Sequence, residues 1–231
     1  MRLLILDTAT EALSVALYDG EVIVAHRFEV IGRGHAERLL PVVRELLDDA
    51  QWSMRSLEAI GVGRGPGAFT GVRIGVSVAQ GLGFGLGVPV LGLSDLHAVA
   101  LGAVFRAGQL GVQAQSVVVA LDARMGEVYA ALCDVTPERV VLRWEALCAP
   151  AELPGRVGPR GAVLLAGHGF AAYPALAGAF STVVACYPDE LPNARFMAPI
   201  AAEQWRAGLA RPAEELEPVY LRDDVANRSA P

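Results

Sequence analysis

Between residues 2 and 210 the chain runs twice through one order of strand and helix signals, and this duplication narrows the fold sharply. "RLLILD" (2–7) reads as a buried strand, and "ALSVALY" (12–18) alternates with Leu13, Val15 and Leu17 on one face. Asp19-Gly20 is a two-residue hairpin signal, so "EVIVAHRF" (21–28) should return antiparallel. Then come a helix from about His35 to Ala50, a strand at 58–63, a helix at 70–86, a strand at 88–92 and a helix at 94–106. The order is β-β-β-α-β-α-β-α. It recurs in "SVVVALD" (116–122), "EVYAALCDV" (127–135), "RVVLRWEA" (139–146), "AVLLAG" (162–167), a short helix near 170–179, a strand at 182–186 and a helix at 197–210. Where the repeat needs its first helix, "PAELPGRVGPRG" (150–161) is stunted by prolines and glycines. The reading is an α/β chain of two lobes, 1–107 and a reduced 108–231, joined near Ala107 to Gln115. The helix at 197–210 packs back on the first lobe, and the tail after Arg222 is loose.

Composition removes several function classes. Hydrophobic residues make up 53 % of the 231 and mean hydropathy is +0.40, which excludes disorder and raises the question of a membrane span. Ile74 to Ser94 carries no charge and is long enough to cross a bilayer. However, Gly75, Gly81, Gly83, Gly85, Gly87, Pro89 and Gly92 read as a buried helix ending in a turn and a strand. Asp7 interrupts the first apolar run too early for a secretory signal, so a cytoplasmic chain with no membrane segment is expected. All 19 basic residues are arginine, which removes Schiff-base chemistry and any P-loop lysine. A net charge of −6 makes the chain alone a poor binder of nucleic acid. Cys133, Cys148 and Cys186 are odd in number, widely spaced and expected to be buried structural thiols.

The stretch "GVGRGPGAFTGVRIG" (61–75) invites a phosphate-loop reading and fails it on residue type. Val72 and Arg73 follow Gly71 where a Walker A loop needs lysine and a hydroxyl residue, and the GxGxxG spacing is absent. It specifies a helix start instead, with Thr70 as cap and Phe69 and Ile74 as a hydrophobic staple. In the helix that follows, polarity is limited to an Arg73–Ser77–Gln80 stripe, while Gly71, Gly75 and Ala79 form a small-residue row. Such a row lets a backbone come close, either that of the lobe's own sheet or that of a second chain. In the helix 35–50, Ala36, Leu39, Leu40, Val42, Val43, Leu46, Leu47 and Ala50 cover an arc of roughly 160°, wider than one sheet needs, which suggests an interface. Pro41 predicts a kink, at about 3 kcal/mol if mid-helix.

Catalytic patterns are sparse. His26, His35, His97 and His168 have no metal-pairing partner at helical spacing, and Ser94 reads as a helix cap rather than a nucleophile. The pairs Asp48-Asp49 and Asp223-Asp224 read as solvated. Asp7 and Asp122 end matching strands, each before a hairpin. They are either turn formers or two carboxylates facing across a cleft between lobes.

"LILDTATEALSVALYDG", "HAERLLPVVRELL", "GRGPGAFTGVRIGVSVAQGL", "LDARMGEVYAAL" and "EPVYLRDDVA" together resemble the bacterial TsaB family of tRNA threonylcarbamoyladenosine biosynthesis proteins, least over 150–195. The resemblance implies the actin-like ATPase fold (the ASKHA superfamily, ribonuclease H-like) in two lobes of duplicated topology. In that superfamily the loops at Asp7, with Thr8 and Thr10, and at Asp122 hold nucleotide phosphates and usually carry a nearby glycine. Here Ala9 and Ala123 stand nearby instead, so the implied cleft is degenerate and no cofactor is assigned, ATP and metal belonging to partner subunits. The family implies a non-catalytic scaffold that binds a TsaD-like catalytic subunit, joined by a TsaE-like P-loop ATPase, and meets tRNA through that complex. The complex forms threonylcarbamoyladenosine next to the anticodon of tRNAs reading codons that start with A. Residues matching the contact helices are His35, Arg38, Leu39, Val42, Val43, Leu46, Gly71, Arg73, Gly75, Val76 and Ala79, which could also form a homodimer in isolation. The alternatives are an ATP-dependent small-molecule kinase acting through Asp7 and Asp122, or a glycoprotease-like peptidase supported by kinship alone.

Overall fold

The computed structural model describes residues 1–221, so the pair Asp223-Asp224 and the tail from Arg222 lie outside the described residues. Among the described residues, ten strands form two five-stranded sheets. In the first, β1 (Leu3–Asp7), β2 (Ala12–Tyr18), β3 (Ile23–Val30), β4 (Ala59–Gly63) and β5 (Val90–Leu93) take the order β3-β2-β1-β4-β5. In the second, β6 (Ser116–Arg124), β7 (Glu127–Val135), β8 (Val140–Cys148), β9 (Val163–Ala166) and β10 (Val183–Tyr187) take the order β10-β9-β6-β7-β8. Read from its other edge, the second order repeats the first. In both sheets the first three strands are antiparallel and the last two run parallel to the first. This is the two-lobed actin-like ATPase fold.

The helices show how the duplication has diverged. The first lobe carries α1 (His35–Asp49) and α2 (Phe69–Leu86) on the outer face of its sheet. Their counterparts, α4 (Leu153–Arg156) and α5 (Gly169–Ala172), span four residues each. The remaining helices, α3 (Asp95–Gln109) and α6 (Ala194–Arg206), are exchanged between the sheets. α3 follows the first sheet but packs on β6, β7, β8 and β9, while α6 follows the second and packs on the five strands of the first. A division of the chain at residue 107 therefore cuts across the packing.

The exchange explains why β2 is buried on both faces although its sequence alternates. Leu13, Val15 and Leu17 face the cluster under α1 and α2, while Ala16 and Tyr18 face α6. α6 approaches closely because Ala194, Ala198, Ala201 and Ala202 are small, and Gly61 in β4 leaves it room. The Ser14 hydroxyl accepts from the Ala194 amide at 3.0 Å and donates to the Asn193 side chain at 3.2 Å, fixing the start of α6. Ser94 caps α3 by accepting from the His97 amide at 3.3 Å. No helix among the described residues is long and apolar enough to cross a membrane, and the uncharged run from Ile74 divides into α2, a turn at Gly87 and β5.

Several sequence expectations need correction. The β2–β3 connection has four residues rather than two, because the Asp19 carboxylate accepts the amides of Glu21 and Val22, each at 3.0 Å. α2 begins at Phe69 with Ala68 as its cap, so Thr70 lies inside the helix and neither caps it nor leaves Phe69 in a staple position. Cys133 and Cys148 are buried, but Cys186 is exposed. The largest correction concerns the proposed contact residues. Leu39, Val42, Val43 and Leu46 of α1 and Val76 and Ala79 of α2 are in the core of their own lobe, packed on Leu4, Leu6, Leu13, Val15 and Leu17. His35 is buried too and hydrogen-bonds the Ala12 carbonyl through Nε2 at 3.2 Å. Burial of each large apolar side chain is worth roughly 1.5–3 kcal/mol, so these residues hold α1 to its sheet and are not free for a partner.

The small-residue row is likewise spent inside the lobe. A Cβ on Gly71 would overlap the Thr8 carbonyl, and one on Gly75 would stand 2.8 Å from Thr8 Oγ1 and 3.3 Å from Val62. Gly81 and Gly85 of the same helix have open space around them and ordinary helical backbone. Gly71→Ala should therefore cost roughly 3 kcal/mol through overpacking, whereas Gly81→Ala should gain about 0.8–1 kcal/mol of helix propensity. Urea unfolding of the two variants checks this, and a neutral Gly71→Ala would contradict the close contact of α2 with the β1–β2 turn.

Candidate functional site

Two features of the surface stand out, a cleft between the lobes and the outer side of α1 and α2. The cleft has a cavity volume of about 1220 Å³ and is lined by the β1–β2 turn at Ala9 and Thr10, the first turns of α1 and α2, and the end of β6 with Asp122 and His168.

The two strand-end aspartates share a turn but not a direction. Asp7 Oδ1 accepts the Ala9 amide at 2.9 Å, and Asp122 Oδ1 accepts the Arg124 amide at 3.0 Å, the same two-residue bond in each half. Asp122 lines the cleft, where it also accepts from the Tyr173 hydroxyl at 3.3 Å and pairs with Arg124 at 3.3 Å. Asp7 is 0 % exposed and lies below the cleft, against Asp95 at the start of α3. The expectation that the two carboxylates face one another is thus corrected. Thr8 is buried as well, its hydroxyl donating to the Gly71 carbonyl at 2.7 Å, while Thr10 reaches the cleft wall.

The reason lies in the glycine-rich stretch. Gly67 and Gly71 place the start of α2 directly on the backbone of Thr8 and Ala9, and the Ala68 amide donates to the Ala9 carbonyl at 2.7 Å. The turn is backed by α2 on one side and keeps Ala9 and Thr10 on the cleft wall. Its carboxylate, however, is turned inward, so Asp7 is not placed to hold a metal-bound phosphate in that cleft. On the opposite wall the His168 ring accepts the Asp122 amide through Nδ1 at 3.0 Å, which requires that nitrogen to be unprotonated. Burial pushes its pKa below the ordinary value of 6.5, in keeping with a neutral ring that orients the β6 turn. Among the described residues no three His, Cys, Asp or Glu side chains gather at one point suited to a metal ion.

The outer side of α1 and α2 carries what the core leaves over. Leu40 is 46 % exposed, Phe69 63 % and Phe84 82 %, and Ala36, Ile74, Ser77 and Val78 line a shallow groove with Phe69, Thr70 and Arg73. Arg38 points outward but is tied to Glu29 at 2.8 Å and Glu45 at 2.7 Å within its own lobe. The Arg73 guanidinium lies 3.1 Å from the Phe69 ring centroid and 5.1 Å from that of Tyr220. Its Nη1 is shielded from solvent and has no hydrogen-bond partner among the described residues. A shielded N–H without an acceptor is uncommon and calls for an explanation.

Of the contact residues that sequence reasoning assigned to α1 and α2, Arg73 and Arg38 reach the outer side, and the apolar ones lie in the lobe's own core. Leu40 and Ala36 were the surplus of the 160° arc, and Ser77 belonged to the polar stripe, so the outer face could have been found by subtracting what one sheet can cover. Asp95, the partner of Asp7, gave no signal beyond its place after the Ser94 cap.

Comparison with known proteins places this geometry in a family. A family profile described as "TsaD: tRNA N6-adenosine threonylcarbamoyltransferase" matches residues 28–229. The chain is 39 % identical over 237 residues to the tRNA threonylcarbamoyladenosine biosynthesis protein TsaB of Escherichia coli, covering 100 % of this chain and 99 % of that one. The TsaB of Haemophilus influenzae is 38 % identical over 244 residues, covering 100 % of this chain and 98 % of its own. Among solved structures, YeaZ from Pseudomonas aeruginosa superposes with a TM-score of 0.84 at 40 % identity, over 95 % of this chain and 99 % of that one. The chain therefore belongs to the TsaB family.

Proposed function

We propose that this chain is a non-catalytic subunit in the biosynthesis of tRNA threonylcarbamoyladenosine, and that it acts by docking a TsaD-like catalytic subunit on the outer face of α1 and α2. The observation that carries the reading is the exposure of Leu40, Phe69 and Phe84, beside the half-buried Ile74 and Val78, on two helices whose other faces are packed in the core. Gly81 and Gly85 support it. Each costs about 0.8–1 kcal/mol relative to alanine in a helix, and nothing inside the lobe comes near them. With Ser77 they form an exposed row at four-residue spacing along which a second backbone can approach.

The partner is argued from likeness. The profile that this chain matches describes the transferase itself, which supports a partner related to this chain. Related lobes can pair through corresponding helices in a nearly two-fold arrangement, in which each apolar strip covers the other. An acceptor on the partner, a carboxylate or a backbone carbonyl, would satisfy Arg73 Nη1.

The remaining assignments follow from the inward turn of Asp7 and the charge of the chain. The inward Asp7 favours ATP and metal being handled by partner subunits, among them a TsaE-like ATPase, and weighs against the kinase alternative. With a net charge of −6, the basic surface for tRNA comes from the complex. The chain acts in the cytoplasm, where its tRNA substrate is, and its apolar strip also permits a homodimer when the partner is absent.

Two experiments test the reading. Phe84→Asp and Leu40→Asp should each weaken binding of a TsaD-like subunit at least tenfold in calorimetry while leaving Tm within a few degrees, since both side chains lie largely outside the core. Unchanged affinity in both would place the interface elsewhere. In a reconstituted transfer assay, omission of this chain should abolish threonylcarbamoyl transfer, and the chain alone should release no phosphate from magnesium-ATP. Turnover by the isolated chain that is lost in Asp122→Ala would instead favour the kinase reading.

A further inference from the structure

Asp7 and Asp95 meet at the bottom of the first lobe, both 0 % exposed. Each has one oxygen with a conventional donor. Asp7 Oδ1 accepts the Ala9 amide, and Asp95 Oδ2 accepts the Gly65 amide. Each also has one oxygen, Asp7 Oδ2 and Asp95 Oδ1, that is buried with no donor in reach. The two carboxyl groups adjoin, since a Cβ on Gly63 would stand against both Asp7 Oδ1 and Asp95 Oδ1. Two ionised carboxylates so placed, removed from water, repel strongly, whereas one proton between them turns the repulsion into a short hydrogen bond.

Among the described residues no arginine acts on the pair, and His35 is the one group whose charge favours the ionised form of Asp7. The ionisable side chains that act on it are His35, at the start of α1, and Glu145, on β8, and Glu145 adds negative charge. The site is also closed to a hydrated cation. A Cβ on Gly63 would stand 2.5 Å from Asp95 Oδ1, 2.7 Å from Asp7 Oδ1 and 3.1 Å from the Met197 methyl, so apolar packing from α6 reaches the carboxyl groups.

We infer that Asp7 and Asp95 hold one proton between them and form a proton-dependent latch at the junction of β1, the loop leading to α2, and the start of α3. The latch lies at a mechanical crossing. Besides the Asp95–Gly65 bond, the Asp95 amide donates to the Gly65 carbonyl at 3.2 Å, the Arg64 amide to the Leu93 carbonyl at 3.0 Å, and the Val219 amide to the Arg64 carbonyl at 2.7 Å. The end of β1, the loop 64–68, α3 and the returning C-terminal segment are thus tied within a few residues of one shared proton. This inference does not depend on the chain's partner.

Burial, and then the charge of Asp7, raise the pKa of Asp95 well above its ordinary value of 3.8. The sign of the pH effect follows. The folded state keeps a proton that the unfolded chain releases above about pH 4, so this contribution to stability is complete below that value and is lost as pH rises toward the folded pKa.

The test combines a direct and an energetic readout. In protein labelled with ¹³C at the aspartate carboxyl carbons, one resonance, removed by Asp95→Asn, should keep the chemical shift of a neutral acid at pH 7. Urea stability of the wild type should fall from pH 5 to pH 9. Asp95→Asn, which supplies an N–H donor without a charge, should fold and remove most of that fall, and Asp95→Ala should be less stable than Asp95→Asn at every pH. Two ionised carboxyl resonances at pH 7, or an undiminished pH slope in Asp95→Asn, would overturn the inference. Should the substituted chains not fold, the wild-type resonance decides alone.

Discussion

The backbone of α2 rests directly on the turn between β1 and β2. Gly67 and Gly71 allow it, Thr8 fixes it by donating to the Gly71 carbonyl at 2.7 Å, and Gly75 continues the contact one turn further on. In a nucleotide-binding relative of this architecture the space beside that turn is where phosphates would come close to amide groups. Here α2 stands against one side of the turn, and Ala9 and Thr10 line the cleft on the other. The same contact sets the rotation of α2 about its axis. With Val72, Val76, Ala79 and Gly83 held against the sheet and the C-terminal segment, Ile74, Ser77, Gly81 and Phe84 face outward. One packing decision therefore both turns Asp7 inward beneath α2 and leaves one side of that helix facing outward.

The second constraint is the exchange of α3 and α6. Each closes the inner face of the other half's sheet, so neither half has a complete core without the other. The outer faces have no such obligation, and there the halves differ most. The second sheet is covered by short segments around Leu153, Phe170 and Leu176, which give a small hydrophobic cluster and little else. The first sheet carries two full helices wider in apolar surface than it can use. The duplicated halves thus differ in their outer layers, and the apolar surplus lies on the first.

How much of this was legible in the sequence differs by level. The order of elements along the chain, the stunted helix near 150–161 and the Ser94 cap could be read because alternation, proline content and capping are local properties. The β2–β3 loop was misjudged because an aspartate that bonds two amides ahead favours a longer turn, and the dipeptide Asp19-Gly20 does not reveal this. The burial of Leu39, Val42 and Val43 was misassigned for a different reason. Periodicity identifies an apolar face but not what covers it, and a helix with a wide apolar arc offers both its own sheet and a partner as candidates. Asp7 was unreadable in the same sense. Its inward turn depends on Asp95, far along the chain, and on Gly63 making space between them.

The central claim is that the outer strip of α1 and α2 is the surface that a TsaD-like subunit covers, and cysteine footprinting addresses it directly. Cysteines placed singly at Leu40 and Phe84 would be alkylated in the free chain and again after addition of the partner, with the native, exposed Cys186 as internal reference. The account predicts that the partner slows alkylation at both introduced positions by an order of magnitude or more and leaves Cys186 unchanged. Equal rates at residues 40 and 84 with and without a bound partner would contradict it.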